Sequence, residues 1–142
     1  MKASQQAYNL IMEFEGLQLS AYRCPSGIWT VGYGHTSNVA PDAVITQLQA
    51  NLLLHKDVAQ CERTLNRYNL ALTQNMYDAL ISFIFNVGAG NFHRSALLSK
   101  IKVNPYDSSI TDEFLKWIHS KGKPLAGLQR RRMAEMKLYF TQ

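Results

Sequence analysis

Apolar positions along the first fifteen residues recur at helical spacing: Tyr8, Ile11 and Phe14 share one face. They predict a helix that Ser4 can cap and Gly16 can end, which puts Glu15 at a helix C-terminus. The pattern then changes. Leu17 to Tyr22 and Ile28 to His35 are rich in strand formers and flank Cys24-Pro25-Ser26-Gly27, where proline and glycine supply turn geometry, so this stretch reads as a hairpin. Thr46 with Gln49 makes a capping box for a long helix running to about Asn66, with Leu48, Leu52 and Val58 among polar residues. The next helix opens near Thr73 and ends at Gly88. Met76, Ala79, Leu80, Phe83, Ile84 and Val87 trace its apolar face, and Ile81 with Phe85 widen that face almost all round, as in a buried helix. Further helices are expected over Ser95 to Lys102, Ser109 to His119 and Leu128 to Phe140, separated by Pro105 and by Gly122-Lys123-Pro124. The predicted fold class is α+β: a small hairpin-bearing lobe, a connecting helix and a mostly helical lobe, with a binding cleft between the lobes.

At 142 residues and 46% hydrophobic side chains, the chain can bury one self-sufficient core and is too short for two ordinary domains, so residues 1–142 are expected to form a single domain. The net charge of +5 suggests an acidic partner, whether nucleic acid, an anionic membrane surface or a polyanionic cell wall. Two cysteines make neither a disulfide framework nor a metal cluster, and no phosphate loop, dinucleotide fingerprint or zinc spacing is present. No cofactor and no metal are expected. The opening residues Met1 to Gln6 lead directly into the first helix and offer neither a signal h-region nor a spanning segment. Stable membrane insertion is therefore not expected, and a monomer is the default.

The candidate chemistry lies in one short run. Glu15, Cys24 and Thr30 are separated by eight and then five residues, and Trp29-Thr30-Val31-Gly32-Tyr33-Gly34-His35 follows at once. Both spacings and this run resemble the active-site stretch of the phage-type lysozymes, glycoside hydrolases that cut peptidoglycan between N-acetylmuramic acid and N-acetylglucosamine. Similarity continues through Phe85-Asn86-Val87-Gly88 and Gly127-Leu128-Gln129-Arg130-Arg131-Arg132. The resemblance implies a lysozyme-like fold, a peptidoglycan substrate, and synthesis in a bacterial host cytoplasm with action on the wall after release by another agent.

Cleaving a glycosidic bond needs a proton for the leaving oxygen and a group that deals with the oxocarbenium-like centre. Glu15 is the expected general acid, since a helix C-terminus and partial burial both disfavour its charged form. The resemblance implies that one of Arg130, Arg131 and Arg132 approaches Glu15 and opposes that shift, with Arg131 favoured. Most glutamates are solvated surface groups, and only the surrounding motif reverses that reading here. Cys24 stands where many relatives carry Asp. An ordinary thiol is mostly neutral at pH 7, so as a base Cys24 needs electropositive surroundings, while Thr30 is expected to help hold the attacking water. In isolation Cys24 would read as a small apolar filler and Thr30 as an ordinary strand residue. Cys61 lacks such a motif and reads as a packed thiol.

His35 invites a general-base role, yet the resemblance implies a structural pair with Asp57 on the connecting helix, and that reading is preferred. Thr36, Phe85, Asn86 and Ser95 match family positions that line the cleft, and Trp117 is a weaker addition. Aromatic faces with amides and hydroxyls suit an amino-sugar polymer, although Phe85 and Trp117 read equally well as core residues. Two other classes stay open: a wall-binding protein of lysozyme architecture that has lost catalysis, prompted by cysteine at the second position, and a basic helical nucleic-acid binder. Retention of Glu15 and Thr30 disfavours the first. Dispersal of the positive charge outside Arg130 to Arg132, without an RNA-binding motif, disfavours the second, so nucleic acid is not an expected partner.

Overall fold

A computed structural model describes residues 1–142. Helix α1 (Gln5–Glu15) leads through Gly16 into strands β1 (Gln18–Arg23) and β2 (Trp29–Gly32), and the long helix α2 (Gln47–Asn66) follows. Helices α3 (Gln74–Val87), α4 (Ala89–Arg94), α5 (Ala96–Val103) and α6 (Ile110–Leu115) come next, then a two-residue hairpin β3 (His119–Ser120) and β4 (Lys123–Pro124), and finally α7 (Ala126–Tyr139). No helix is long and apolar enough to cross a membrane.

Gly16 ends α1 as expected, with φ +69° and its N–H donating to the Met12 carbonyl at 3.1 Å. Ser4 does occupy the N-cap position, but its side chain does not cap. Its hydroxyl and its N–H both donate to Asp78, a carboxylate that is itself fully buried on α3. That alternative satisfies a buried charge, which outweighs one helix cap. The Thr46 capping box forms as predicted: Gln49 N–H donates to the Thr46 hydroxyl at 3.1 Å, and Thr46 N–H donates to the Gln49 side chain at 2.8 Å.

Helix α2 buries Ala50, Leu54, Val58, Cys61 and Leu65, a stripe at steps of four or three residues. Of the three apolar residues noted among polar ones in the sequence, Val58 lies in that stripe, while Leu48 and Leu52 lie off it and are exposed. Ala50 and Cys61, easily overlooked as small residues, take their place. Helix α3 is buried continuously from Met76 to Ile84, as its all-round apolar pattern predicts, and it packs against α1, α2 and α7. Around its Phe83 ring stand Phe92, Phe114 and Trp117 in edge-to-face arrangements with centroids 6.3, 5.5 and 5.7 Å away. Each such pair contributes about 0.5–1.5 kcal/mol beyond area burial.

Three local predictions are corrected. The segment expected to be one strand through His35 stops at Gly32, because Val31 and His35 exchange two backbone hydrogen bonds of 2.9 Å and close a tight turn through Gly32 and Gly34 at positive φ. The helix expected from Ser109 to His119 starts at Ile110 and ends at Leu115, giving way to β3. Residues 89–94, assigned no element from sequence, form the short helix α4.

Candidate active site

The Val31–His35 turn is the hub of the site. It swings the Gly34 backbone against the end of α1, so closely that a Cβ on Gly34 would lie 2.6 Å from Glu15 Oε1. Only glycine tolerates both that approach and φ +74°. The other carboxylate oxygen, Oε2, accepts from Arg131 Nη1 on α7 at 2.5 Å, with the Arg131 side chain 4% exposed and that of Glu15 21%. Of the three candidate arginines, Arg131 is the one against Glu15.

Arg131 is itself aimed by a buried polar core. Its Nη2 donates to the Ser82 carbonyl at 3.2 Å, and its Nε approaches Glu135 Oε2 at 3.4 Å. The Ser82 hydroxyl donates to the same carboxylate at 2.6 Å. Burial pushes the Glu135 carboxyl up, while Arg132 and Arg131 oppose it. Arg132 Nε lies 2.8 Å from Glu135 Oε1, but at an angle that makes no hydrogen bond, so the two atoms attract through charge alone. Sequence reading missed Ser82 and Glu135. A polar serine inside the otherwise apolar α3 face, and Glu135 four residues after Arg131, are the signals that were available.

Across from Glu15, the hairpin carries Cys24 and Thr30. The Cys24 thiol is half-buried and sits 2.8 Å from the Ser26 hydroxyl. Ser26 is the main reason that its pKa falls from an ordinary 9.0 to about 7, with backbone hydrogen bonds from Ile28 and Ser26 and a contact from Thr30 adding to it against the opposing effect of burial. The thiol is thus tuned by hydrogen-bond donors rather than by the positive charge expected from sequence. Thr30 is buried, and its hydroxyl donates to the Ile28 carbonyl at 3.1 Å. A hydroxyl has one proton, so turning it toward Cys24 means releasing Ile28. Tyr22, opposite Thr30 in the strand register, was also missed. Burial raises its phenol pKa first, and then the negative charges of Glu15 and Cys24.

The remaining predicted residues separate into groups. Gly34, Thr36, Asp57 and Phe85 line one depression; Glu15, Asn86 and Arg131 line the next; Asn86 and Trp117 line a third, closed by β3. The second and third depressions share Asn86, Leu125 and Leu128. Ser95 is not among these lining residues: it is buried and caps α5, accepting from Leu98 N–H at 3.1 Å and donating to the Phe92 carbonyl at 2.8 Å. His35 and Asp57 stand together behind the turn, Nδ1 to Oδ2 at 2.8 Å, while His35 Nε2 donates to the Ser37 carbonyl at 2.9 Å.

The chain as a whole has counterparts among known proteins. Residues 12–135 match the Phage lysozyme family. The chain belongs to that family. An endolysin of Acyrthosiphon pisum secondary endosymbiont phage 1 is 45% identical over 98% of both chains. An endolysin of Bacillus phage PZA is 41% identical over 98% of this chain, which spans 55% of that protein's length. Among solved structures, the muramidase domain of SpmX from Asticaccaulis excentricus superposes with a TM-score of 0.90 at 34% identity, covering 99% of each chain. The family assignment makes this lysozyme-class chain a hydrolase, and the predicted hairpin lobe, long helix and helical lobe are the fold of these relatives.

Two outcomes follow from the turn. Gly34→Ala is expected to lose turnover as well as stability, because its methyl displaces Glu15, whereas Gly122→Ala, at φ +78° with open space around it, is expected to lose stability alone. The shared backbone cost is about 1–2 kcal/mol, so parallel melting and wall-lysis assays separate it from the displacement. His35→Asn or Asp57→Asn is expected to cost about 1.5–3 kcal/mol, a charged hydrogen bond, with turnover nearly intact well below the melting temperature. Loss of turnover at unchanged stability would count against a structural role for the pair.

Proposed function

We propose that this phage lysozyme family member is an N-acetylmuramidase, hydrolysing the β-1,4 bond from N-acetylmuramic acid to N-acetylglucosamine in bacterial peptidoglycan. The observation that supports this reading best is the placement of Glu15: Oε2 is fixed by Arg131, and Oε1 lies against Gly34 in the turn that follows the strand carrying Thr30. A proton on Oε1 passes to the glycosidic oxygen as the bond to C1 breaks. Water attacks C1 from the opposite face and gives its proton to the Cys24 thiolate, with Thr30 helping to hold it. No covalent sugar intermediate forms, and the first product is the α-anomer.

Thr36, Phe85, Asn86 and Trp117 then serve as wall contacts along the three depressions, while His35 and Asp57 support the turn. In this reading the enzyme acts as a monomer, needs no metal or cofactor, and reaches the wall from the host cell in which it is made. Mass analysis of muropeptides released from purified peptidoglycan tests the reading. Reducing-end muramic acid is expected; reducing-end glucosamine or free stem peptides would overturn it.

A further inference from the structure

Arg131 and Arg132 follow one another on α7, and Glu135 stands four residues after the first and three after the second, so one side of the helix carries all three. A single carboxylate serves both arginines. Its Oε2 accepts from Arg131 Nε at 3.4 Å, from Arg132 Nη2 at 3.3 Å and from the Ser82 hydroxyl at 2.6 Å, while Oε1 faces Arg132 Nε at 2.8 Å. Glu135 and Arg132 are fully buried, and Arg131 nearly so. Burial pushes the Glu135 carboxyl up, but with donors on every side the carboxylate is the form these partners hold.

Two guanidiniums therefore meet two carboxylates, Glu135 inside the helical lobe and Glu15 at its edge. A general acid works with a proton on Glu15, and that proton removes one of the two negative charges. Arg131 then keeps Glu135 as its only anionic partner. Without Glu135, protonating Glu15 would leave two buried guanidiniums with no anion between them, a state that low-dielectric surroundings penalise heavily. The ionised form of Glu15, useless as an acid, would be favoured instead.

We propose that Glu135 is a positioning residue: as the permanent counter-ion of Arg131 and Arg132, it lets Glu15 hold the proton it delivers while Arg131 stays in place. The inference rests on the reading of Glu15 as the acid. Its effect travels through Arg131. The groups that face Glu15 are Glu13 and Arg130 along its depression, Tyr22 on β1 and the Gly34 backbone in the turn, and none of them pairs with Glu135. On the Arg131 side, α1 presents the uncharged Phe14 ring at 5.9 Å and α3 the uncharged Ser82. From α2, Cys61 feels the Arg131 charge, but its thiol is pushed up to about 12 and stays neutral.

Titration of the Glu15 side-chain carboxyl is followed by NMR in the full chain, for wild type, Glu135→Gln, Glu135→Asp and Arg132→Met. Glu135→Gln is expected to lower the midpoint by about one unit, the lower end of what a nearby opposite charge does to a carboxyl. Glu135→Asp keeps the charge, so its midpoint should stay near that of wild type even where the melting temperature falls. Arg132→Met commits the Glu135 charge to Arg131 alone and should raise the midpoint, which keeps the proposal open to test if Glu135→Gln does not fold. On purified walls Glu135→Gln should lower kcat by up to about tenfold with KM unchanged, since fewer molecules carry the proton.

An unchanged midpoint in folded Glu135→Gln, or in Arg132→Met, would overturn the proposal. So would an equal shift in Glu135→Asp, which would assign the effect to packing rather than charge, and so would a raised KM with kcat intact. The titration needs no glycan, so these results leave the substrate class untouched. Near-wild-type turnover by folded Glu15→Gln would instead remove the acid on which the proposal rests.

Discussion

Glu15→Gln is expected to fold like the wild type and to lose about 100- to 10,000-fold of its wall-lytic rate, the range that general acid catalysis contributes. The amide is the same size, and its oxygen can still accept from Arg131 Nη1, so the junction between α1 and α7 keeps its contact. Arg131 also retains the Glu135 carboxylate and the Ser82 carbonyl, which limits the cost of removing one of its two anionic partners. What the variant cannot do is give up a proton to the leaving oxygen. Circular dichroism and thermal melting verify the fold, and turbidity loss of purified walls reads the rate. Near-wild-type turnover by the folded variant would eliminate Glu15 as the acid.

The second large effect belongs to Cys24. With its thiol pKa brought down to about 7, roughly half of it is thiolate at neutral pH. If that thiolate takes the proton of the attacking water, activity falls as pH drops below about 7 and the thiol re-protonates. Cys24→Asp supplies a full negative charge down to much lower pH, so it should stay active and move this acidic limb downward. Cys24→Ala should lose most activity. A thiol-alkylating reagent should inactivate wild type and spare the Asp variant, and Cys61, buried and pushed up to about 12, should not share that sensitivity. The sign for stability is consistent: a folded pKa below the unfolded one favours the fold above the unfolded value, and that contribution is lost as pH falls through the folded value. NMR of the first-formed product, before mutarotation, should show the α-anomer; a β-anomer would overturn the inverting scheme and make Cys24 a candidate nucleophile.

The elements legible in the sequence were those whose signal is local. Gly16, the Thr46–Gln49 box and the apolar run of α3 each announce themselves within a few residues, and the motif spacing brought Glu15, Cys24 and Thr30 into view together. What was not legible depends on partners distant in sequence. Ser4 gives up its cap for Asp78, 74 residues away. Ser82 and Glu135 acquire their meaning only when α7 lies on α3, and the approach of Gly34 to Glu15 exists only once the strand has turned back. Leu48 and Leu52 are as hydrophobic as the core leucines, yet only the register that Ala50, Leu54 and Val58 define shows that they face solvent. Ser95, singled out by family position, also has its hydroxyl engaged on both sides by the local backbone, a capping role that the sequence pattern did not single out.

Glu15 is tied by Arg131 to the helical lobe, whereas Cys24 and Thr30 ride on the hairpin packed against α2. In the proposed mechanism the acid and the water-handling groups are thus anchored to different elements, which must be held in register at the moment of reaction. A glycan long enough to touch both does so with its own binding energy, converting contacts far from the scissile bond into alignment at it. A disaccharide offers fewer such remote contacts than a longer glycan does. Chain length should therefore govern kcat more strongly than it governs affinity, making the polymer itself a working part of the catalyst.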